Sequence, residues 1–225
     1  MNSNQETQIK KINLEELKNK KAARSVPDIT IEKVRARLSR QLTLPVCEGL
    51  FARAVVLCEG ETEKMSLKIW AENENYDFPK KGIAFVQSDG KFSMIDLAEF
   101  YESFHIPVYL IWDSDSNTTE NIENHKKHNK LLLSFSGAIP EEFPSTKFGD
   151  NYSVFDPDFE SVLSDQMYIS FETEVNNELG LINPNSQKGI RARYVALKYR
   201  ENNLDTPPPI KNLLDKIDSI DLTIP

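Results

Sequence analysis

The chain offers little from which a disulfide framework, a membrane span or a zinc site could be built. Its 225 residues include two cysteines, Cys47 and Cys58, too few for a disulfide scaffold. Cys58 lies inside an apolar run and reads as inert core. No apolar stretch approaches the roughly 20 residues that cross a bilayer, and no secretory leader opens the sequence, so a reducing cytoplasm and no membrane association are expected. Of three histidines, His125 and His128 stand three apart in His-Lys-Lys-His, short of a zinc ligand set. They read as a solvated helix face, and His105 as a loop residue. There is no internal repeat and no sustained heptad, which excludes solenoids and coiled coils.

Charge of one sign is also scarce where a polyanion would need it. The net charge is −8. Residues 1–53 carry eleven Lys and Arg against six Asp and Glu, whereas the remainder carries sixteen against 29. Binding of nucleic acid by this chain alone is therefore expected to be weak and salt-sensitive.

Three apolar runs, Ala54–Cys58, Gly82–Val86 and Pro107–Trp112, are rich in β-branched and aromatic residues and predict strands buried on both faces. The intervening segments, 61–75 and 92–105, predict helices. Strand, helix, strand, helix, strand specifies a parallel sheet, and ligands gather at the carboxyl ends of such strands. Farther along, a helix over 31–42 capped by Asp28 or Thr30, a helix or helix pair over 117–134 entered by a capping box, a loop over 137–151, a short strand over 152–155 and helices near 158–164, 166–179, 187–202 and 210–219 complete the reading. Residues 1–45 have apolar stripes but too little mass for a core of their own. They read as an N-terminal arm or docking segment, and 46–225 as the sheet domain with a helical C-terminal part.

Two of the three strands end in acids. Glu59 and Glu63 are four apart across a helix start, so both carboxylates can face one spot. Asp113 and Asp115 are two apart, and alternate side chains of an extended segment share a side. A cluster of four carboxylates repels itself unless a cation is present, and hard oxygen donors select magnesium, manganese or calcium over zinc. Singly, each acid has a plainer reading. Glu61 and Glu63 favour a first helical turn, and Asp-Ser-Asp suits a strand-ending turn.

Glu59-Gly60-x-Thr62-Glu63 after one strand and Asp113-x-Asp115 after another resemble a Toprim domain. The second Glu and the lead-in Pro45-x-x-Glu48-x-Leu50-Phe51-Ala52 resemble the OLD (overcoming lysogenisation defect) nucleases, over about residues 45–200. Gly90-Lys91 is similar to that family's glycine turn after the second strand. Phe155–Glu160 resembles its later acidic segment, and Lys188-Gly189 the region of its catalytic lysine. The resemblance implies an α/β fold: a Toprim, Rossmann-like parallel sheet with flanking helices and helical N- and C-terminal extensions. It implies a metal-dependent DNA endonuclease with two ions, Mg2+ or Mn2+, about 4 Å apart. Glu59, Glu63 and Asp113 would hold one ion, and Asp113, Asp115 and Glu160 the other, with Lys188 stabilising charge on the phosphate. Asp158 and Glu160 are equally readable as helix-capping acids. Lys188, Arg191, Arg193, Lys198 and Arg200 form either a soluble helix face or the main phosphate-contacting surface. OLD proteins carry an ABC-type ATPase, but no Gly-x-x-x-x-Gly-Lys-Ser/Thr loop occurs here. The expected partners are therefore DNA, a separate or detached ATPase and a second copy of the chain, in a setting of anti-phage defence.

Two readings from other classes remain open. A phospho-accepting receiver domain expects two adjacent acids after its first strand, which Glu59-Gly60 does not supply. A non-catalytic interaction or regulatory subunit would keep the acidic pocket for a structural ion.

Overall fold

The run Ala54–Cys58 is buried at every residue, which is why five successive apolar residues form a central strand here. The computed structural model describes residues 12–23, 28–181 and 187–220. In chain order the elements are α1 (Leu14–Ala23), α2 (Ile31–Gln41), α3 (Leu44–Gly49), β1 (Ala54–Cys58), α4 (Glu61–Asn73), α5 (Phe78–Lys81), β2 (Ile83–Gln87), α6 (Lys91–Glu102), β3 (Val108–Asp113), α7 (Ile122–Phe135), β4 (Lys147–Phe148), β5 (Tyr152–Phe155), α8 (Phe159–Leu163), α9 (Gln166–Glu178), α10 (Lys188–Glu201) and α11 (Pro208–Asp218).

The strands form one sheet in the order β2-β1-β3-β5-β4. It is parallel throughout except for β4, which runs antiparallel to β5. Alternation along β1 divides the core. Ala54, Val56 and Cys58 join Leu67, Trp70, Phe159, Tyr168, Val195 and Leu213 on one face. Val55 and Leu57 join Met94, Phe100, Leu132, Leu17, Val34 and Leu38 on the other. Each fully buried Val or Leu contributes roughly 1.5–3 kcal/mol, so a charge at Val56 would break the sheet's centre. Helices α4 and α8–α11 cover the first face, and α1, α2, α6 and α7 the second. The expected mixed α/β architecture with a mostly parallel sheet is what the chain adopts.

Local chemistry explains where the boundaries differ. Thr30, not Asp28, caps α2, its side chain accepting from Lys33 N. The helix expected from residue 117 begins only at Ile122. Thr118 Oγ1 turns back on its neighbour, accepting from Glu120 N at 3.3 Å and donating to Glu120 O at 3.1 Å, and this local bonding competes with a capping box. The stretch read as loop over 137–151 contains the edge strand β4. Part of the N-terminal arm, residues 1–11 and 24–27, lies outside the described residues. Within the rest of the arm, Leu17, Val34 and Leu38 are buried in the same cluster as Val55 and Leu57. Lys21 is buried and paired with Asp96 of α6.

Candidate functional site

Glu59 follows β1 directly. Its N–H extends the ladder to Ile111 O at 3.0 Å, and its Oε2 accepts from the N–H of Asp113 at 3.3 Å. Asp113 is the last residue of the neighbouring β3, and its Oδ1 accepts from Phe159 N at 2.8 Å. Gly60 caps α4 in an extended conformation. A Cβ there would meet Glu63 Oε2 at 3.1 Å, so the absent side chain leaves room for the Glu63 carboxylate over the helix start. Glu160, in the first turn of α8, accepts from Thr62 Oγ1 at 3.0 Å, and the Lys188 ammonium stands 3.7 Å from it. Two adjacent strand ends and the beginnings of three helices thus bring together Glu59, Glu63, Asp113, Glu160 and Lys188.

Asp115 is placed differently. The chain beyond β3 keeps bonding to the β5 side, through Ser114 N to Phe155 O at 2.7 Å and Asp115 N to Pro157 O at 2.8 Å. Asp115 itself is left-handed, with φ 56°, so the extended alternation expected to align it with Asp113 is lost. Its Oδ2 meets Lys91 Nζ and His125 Nδ1, the latter at 2.8 Å. His125 and His128 correct the sequence reading, because neither lies on a fully solvated face. His125 engages Asp115, and the ring of His128 packs 5.7 Å from that of Phe92. Burial, then Lys91, Lys127 and His125, lower the pKa of His128. Asn129 fixes the same loop by donating to Ser114 O and Glu142 O, each at 2.8 Å. Thr62, Lys91, His125 and Asn129 had no assigned role in the sequence. For Lys91 a signal existed: a cation in a helix's first turn opposes the macrodipole and calls for a compensating acid.

The acids raise one another's pKa values. Burial pushes Glu59 from 4.5 up to about 7, with the Lys91 charge opposing and Asp115 adding to the rise. Burial, then Glu59 and Glu160, push Glu63 up to about 8, against backbone N–H groups that favour its charged form. Asp113 is raised well above the usual carboxylate range by burial and then by Glu63, Glu59, Glu160 and Asp115. Buried like charges disfavour joint ionisation, and a bound cation inverts that balance. As a donor set, these hard oxygens fit a divalent ion. Among the described residues, however, no three His, Cys, Asp or Glu side chains are gathered tightly enough to hold a metal ion as they stand. Glu59, Asp113 and Glu160 are held instead by Asp113 N, Phe159 N and Thr62 Oγ1.

The basic face of α10 is largely spoken for. Arg191 pairs with Glu172 at 3.1 Å, Lys198 with Glu174 and Glu178 at 2.6 and 2.9 Å, and Arg200 with Glu72 at 3.2 Å. Arg193 is exposed and makes no ion pair among the described residues. Helix α10 lies close against α4. A Cβ on Gly189 would meet Glu61 Cγ at 2.8 Å, Met65 Sδ at 3.0 Å and the Glu61 carbonyl at 3.1 Å. That close approach sets Lys188 beside Glu160.

Residues 50–115 match the family model for the overcoming lysogenization defect protein-like, TOPRIM domain. The chain contains an OLD-like Toprim domain. Solved structures similar to it are C-terminal regions of OLD proteins. That of Burkholderia pseudomallei is 17% identical, with a TM-score of 0.52, covering 74% of this chain and 97% of the other. That of Xanthomonas campestris pv. campestris, phased with iodine, is 17% identical with a TM-score of 0.50, covering 74% and 94%. At this identity the likeness concerns the fold. No curated protein sequence matches the chain significantly. Toprim domains in general bind divalent metals, and an OLD-like Toprim domain fits a nuclease-type function. The matched segment contains Glu59, Glu63, Asp113 and Asp115, whereas Glu160 and Lys188 lie beyond it and reach the site through α8 and α10. No helix among the described residues is long and apolar enough to cross a membrane.

Proposed function

We propose that the chain is a divalent-metal-dependent nuclease that hydrolyses DNA phosphodiesters, as the nuclease part of an OLD-type ATPase-nuclease system. The observation that carries this reading is the meeting of Glu59, Glu63, Asp113 and Glu160 at the carboxyl edge of the sheet, with Lys188 beside them. Glu59, Glu63 and Asp113 would hold the ion, with Glu160 next to it. A bound divalent ion supplies activation of the attacking water and stabilisation of charge on the phosphate. The Phe159 and Asp113 amides hold the Asp113 and Glu59 carboxylates in fixed orientations, so fewer rotamers are lost on binding. Lys188, half exposed beside Glu160, presents a positive charge to the phosphate as negative charge develops there. Anti-phage defence and an ABC-type ATPase partner extend the reading by family resemblance.

The test is supercoiled plasmid incubated with the chain and Mg2+ or Mn2+, with Glu59→Ala as control. Nicked or linear product that depends on metal and disappears in Glu59→Ala is expected. Absence of cleavage with either ion, even with an OLD-type ATPase added, would replace this reading with that of a non-catalytic interaction subunit.

A further inference from the structure

We propose that the ammonium of Lys91 stands where a second divalent ion would have to bind, so that this centre takes one metal ion instead of two. The inference rests on the metal-centre reading above and concerns only how that centre is filled.

Asp115 is the acid that would distinguish a second ion's site, and its Oδ2 is already met by two nitrogen groups. Lys91 Nζ reaches it from the first residue of α6, and His125 Nδ1 lies 2.8 Å away on α7. The Lys91 side chain is only 3% exposed, so its charge has almost no water to solvate it. A buried ammonium is retained only where a carboxylate offsets it, and a divalent ion on the same carboxylate would displace that partner while adding charge of the same sign nearby. Position strengthens the point. Lys91 opens a helix, where the macrodipole repels cations, so acids must hold it there. Lys91 from α6 and His125 from α7 thus both meet the acid after β3. Asp113 bonds instead to Phe159 N on the α4–α8 side, where Glu63 stands in the first turn of α4.

The other acids expected to share the second ion are also engaged on that α4–α8 side. Asp113 Oδ1 accepts from Phe159 N, and Glu160 accepts from Thr62. The left-handed backbone at Asp115 carries its Oδ2 to Lys91 and His125. Glu59, Glu63 and Asp113 are therefore the acids left for a metal, and Asp115 is closed by the chain's own cation.

The test counts ions directly. The full chain is dialysed against Mn2+ at an ionic strength that screens surface acids, and bound metal is measured per chain for wild type, Asp115→Asn, Lys91→Met and Glu63→Gln. About one tightly held ion is expected in wild type. Asp115→Asn should retain it with an affinity within about threefold of wild type, and Glu63→Gln should lose it. Lys91→Met, once shown to be folded by its circular dichroism, should bind a second ion. Two ions in wild type, or loss of one ion in Asp115→Asn, would overturn the inference while leaving the nuclease reading intact. No bound ion in wild type would remove the metal-centre reading itself. The wild-type and Asp115→Asn counts decide the matter even if Lys91→Met does not fold.

Discussion

Removing one of the buried acids should make the metal-free chain more stable. Glu63 is 2% exposed, and burial together with Glu59 and Glu160 raises its carboxyl from 4.5 to about 8. A carboxyl whose folded pKa exceeds its unfolded value binds its proton more tightly in the folded state. Its ionisation therefore opposes folding, with no penalty below about pH 4.5 and the full penalty above about pH 8. At 1.36 kcal/mol for each tenfold change in proton affinity, the displacement corresponds to about 4–5 kcal/mol. Part of it is shared with Glu59 and Glu160, so about 3 kcal/mol is expected from removing Glu63's charge alone. Glu63→Gln keeps the size of the side chain and one acceptor oxygen. Thermal melts in a chelator should place the variant above wild type at pH 8.5 by roughly 6–12 °C, using about 2–4 °C per kcal/mol for a chain of this size. At pH 5, where wild-type Glu63 is already neutral, the two should melt within a few degrees of each other. Mg2+ or Mn2+ should then raise the wild-type midpoint and leave the variant's nearly unchanged. A variant that melts at or below wild type at pH 8.5 would mean that the acids do not strain the fold, and the electrostatic case for a cation there would fail.

Other outcomes follow from packing and pairing. Lys198→Ala should leave the salt dependence of DNA binding unchanged, because Glu174 and Glu178 already hold that ammonium, whereas Arg193→Ala should lower the slope of log K against log salt by about one. Gly189→Ala should cost about 1–3 kcal/mol in denaturant titrations, because its Cβ would press on the Glu61 carbonyl at 3.1 Å. Plasmid cleavage should fall with it as Lys188 shifts. Trp70→Ala should cost about 3–5 kcal/mol, since Trp70 is fully buried and edge-on to Tyr199 at 5.1 Å between centroids. A loss under about 1 kcal/mol would contradict its place in the core. Cleavage by the isolated chain should fall steeply between low and physiological salt, and gel assays across that range would detect any indifference.

Periodicity made the sheet legible. Runs buried on both faces have no need of alternation, so Ala54–Cys58, Gly82–Val86 and Pro107–Trp112 stood out, and the helices between them had to be crossovers. The strand-end acids were legible for the same reason, because a parallel sheet leaves few places for Glu59 and Asp113 except one edge. What sequence could not give was direction within a loop. Spacing placed Asp115 beside Asp113, but a single left-handed residue turned it toward α6 and α7. The partners of Lys198 and Arg191 were also hidden, since they come from α9 and no local pattern reveals which exposed acids will lie opposite. The arm over 1–45 read as a docking segment, with apolar stripes but too little mass for a core of its own, and no local pattern says where those stripes dock. Leu17, Val34 and Leu38 are nonetheless buried with the sheet's second face, because a core can borrow one side chain from each turn of a distant helix.

The site's acids come from residues 59, 63, 113 and 160, and its lysine from 188. During synthesis β1, α4, β2, α6 and β3 can pair as they emerge, each close in sequence to its neighbour. Glu160 and Lys188 cannot join them until β5 has paired with β3 and α10 has settled against α4, the second contact bridging about half of the chain. Long-range pairings of this kind form late. A chain cut short before α8 would therefore carry Glu59, Glu63 and Asp113 but neither Glu160 nor Lys188.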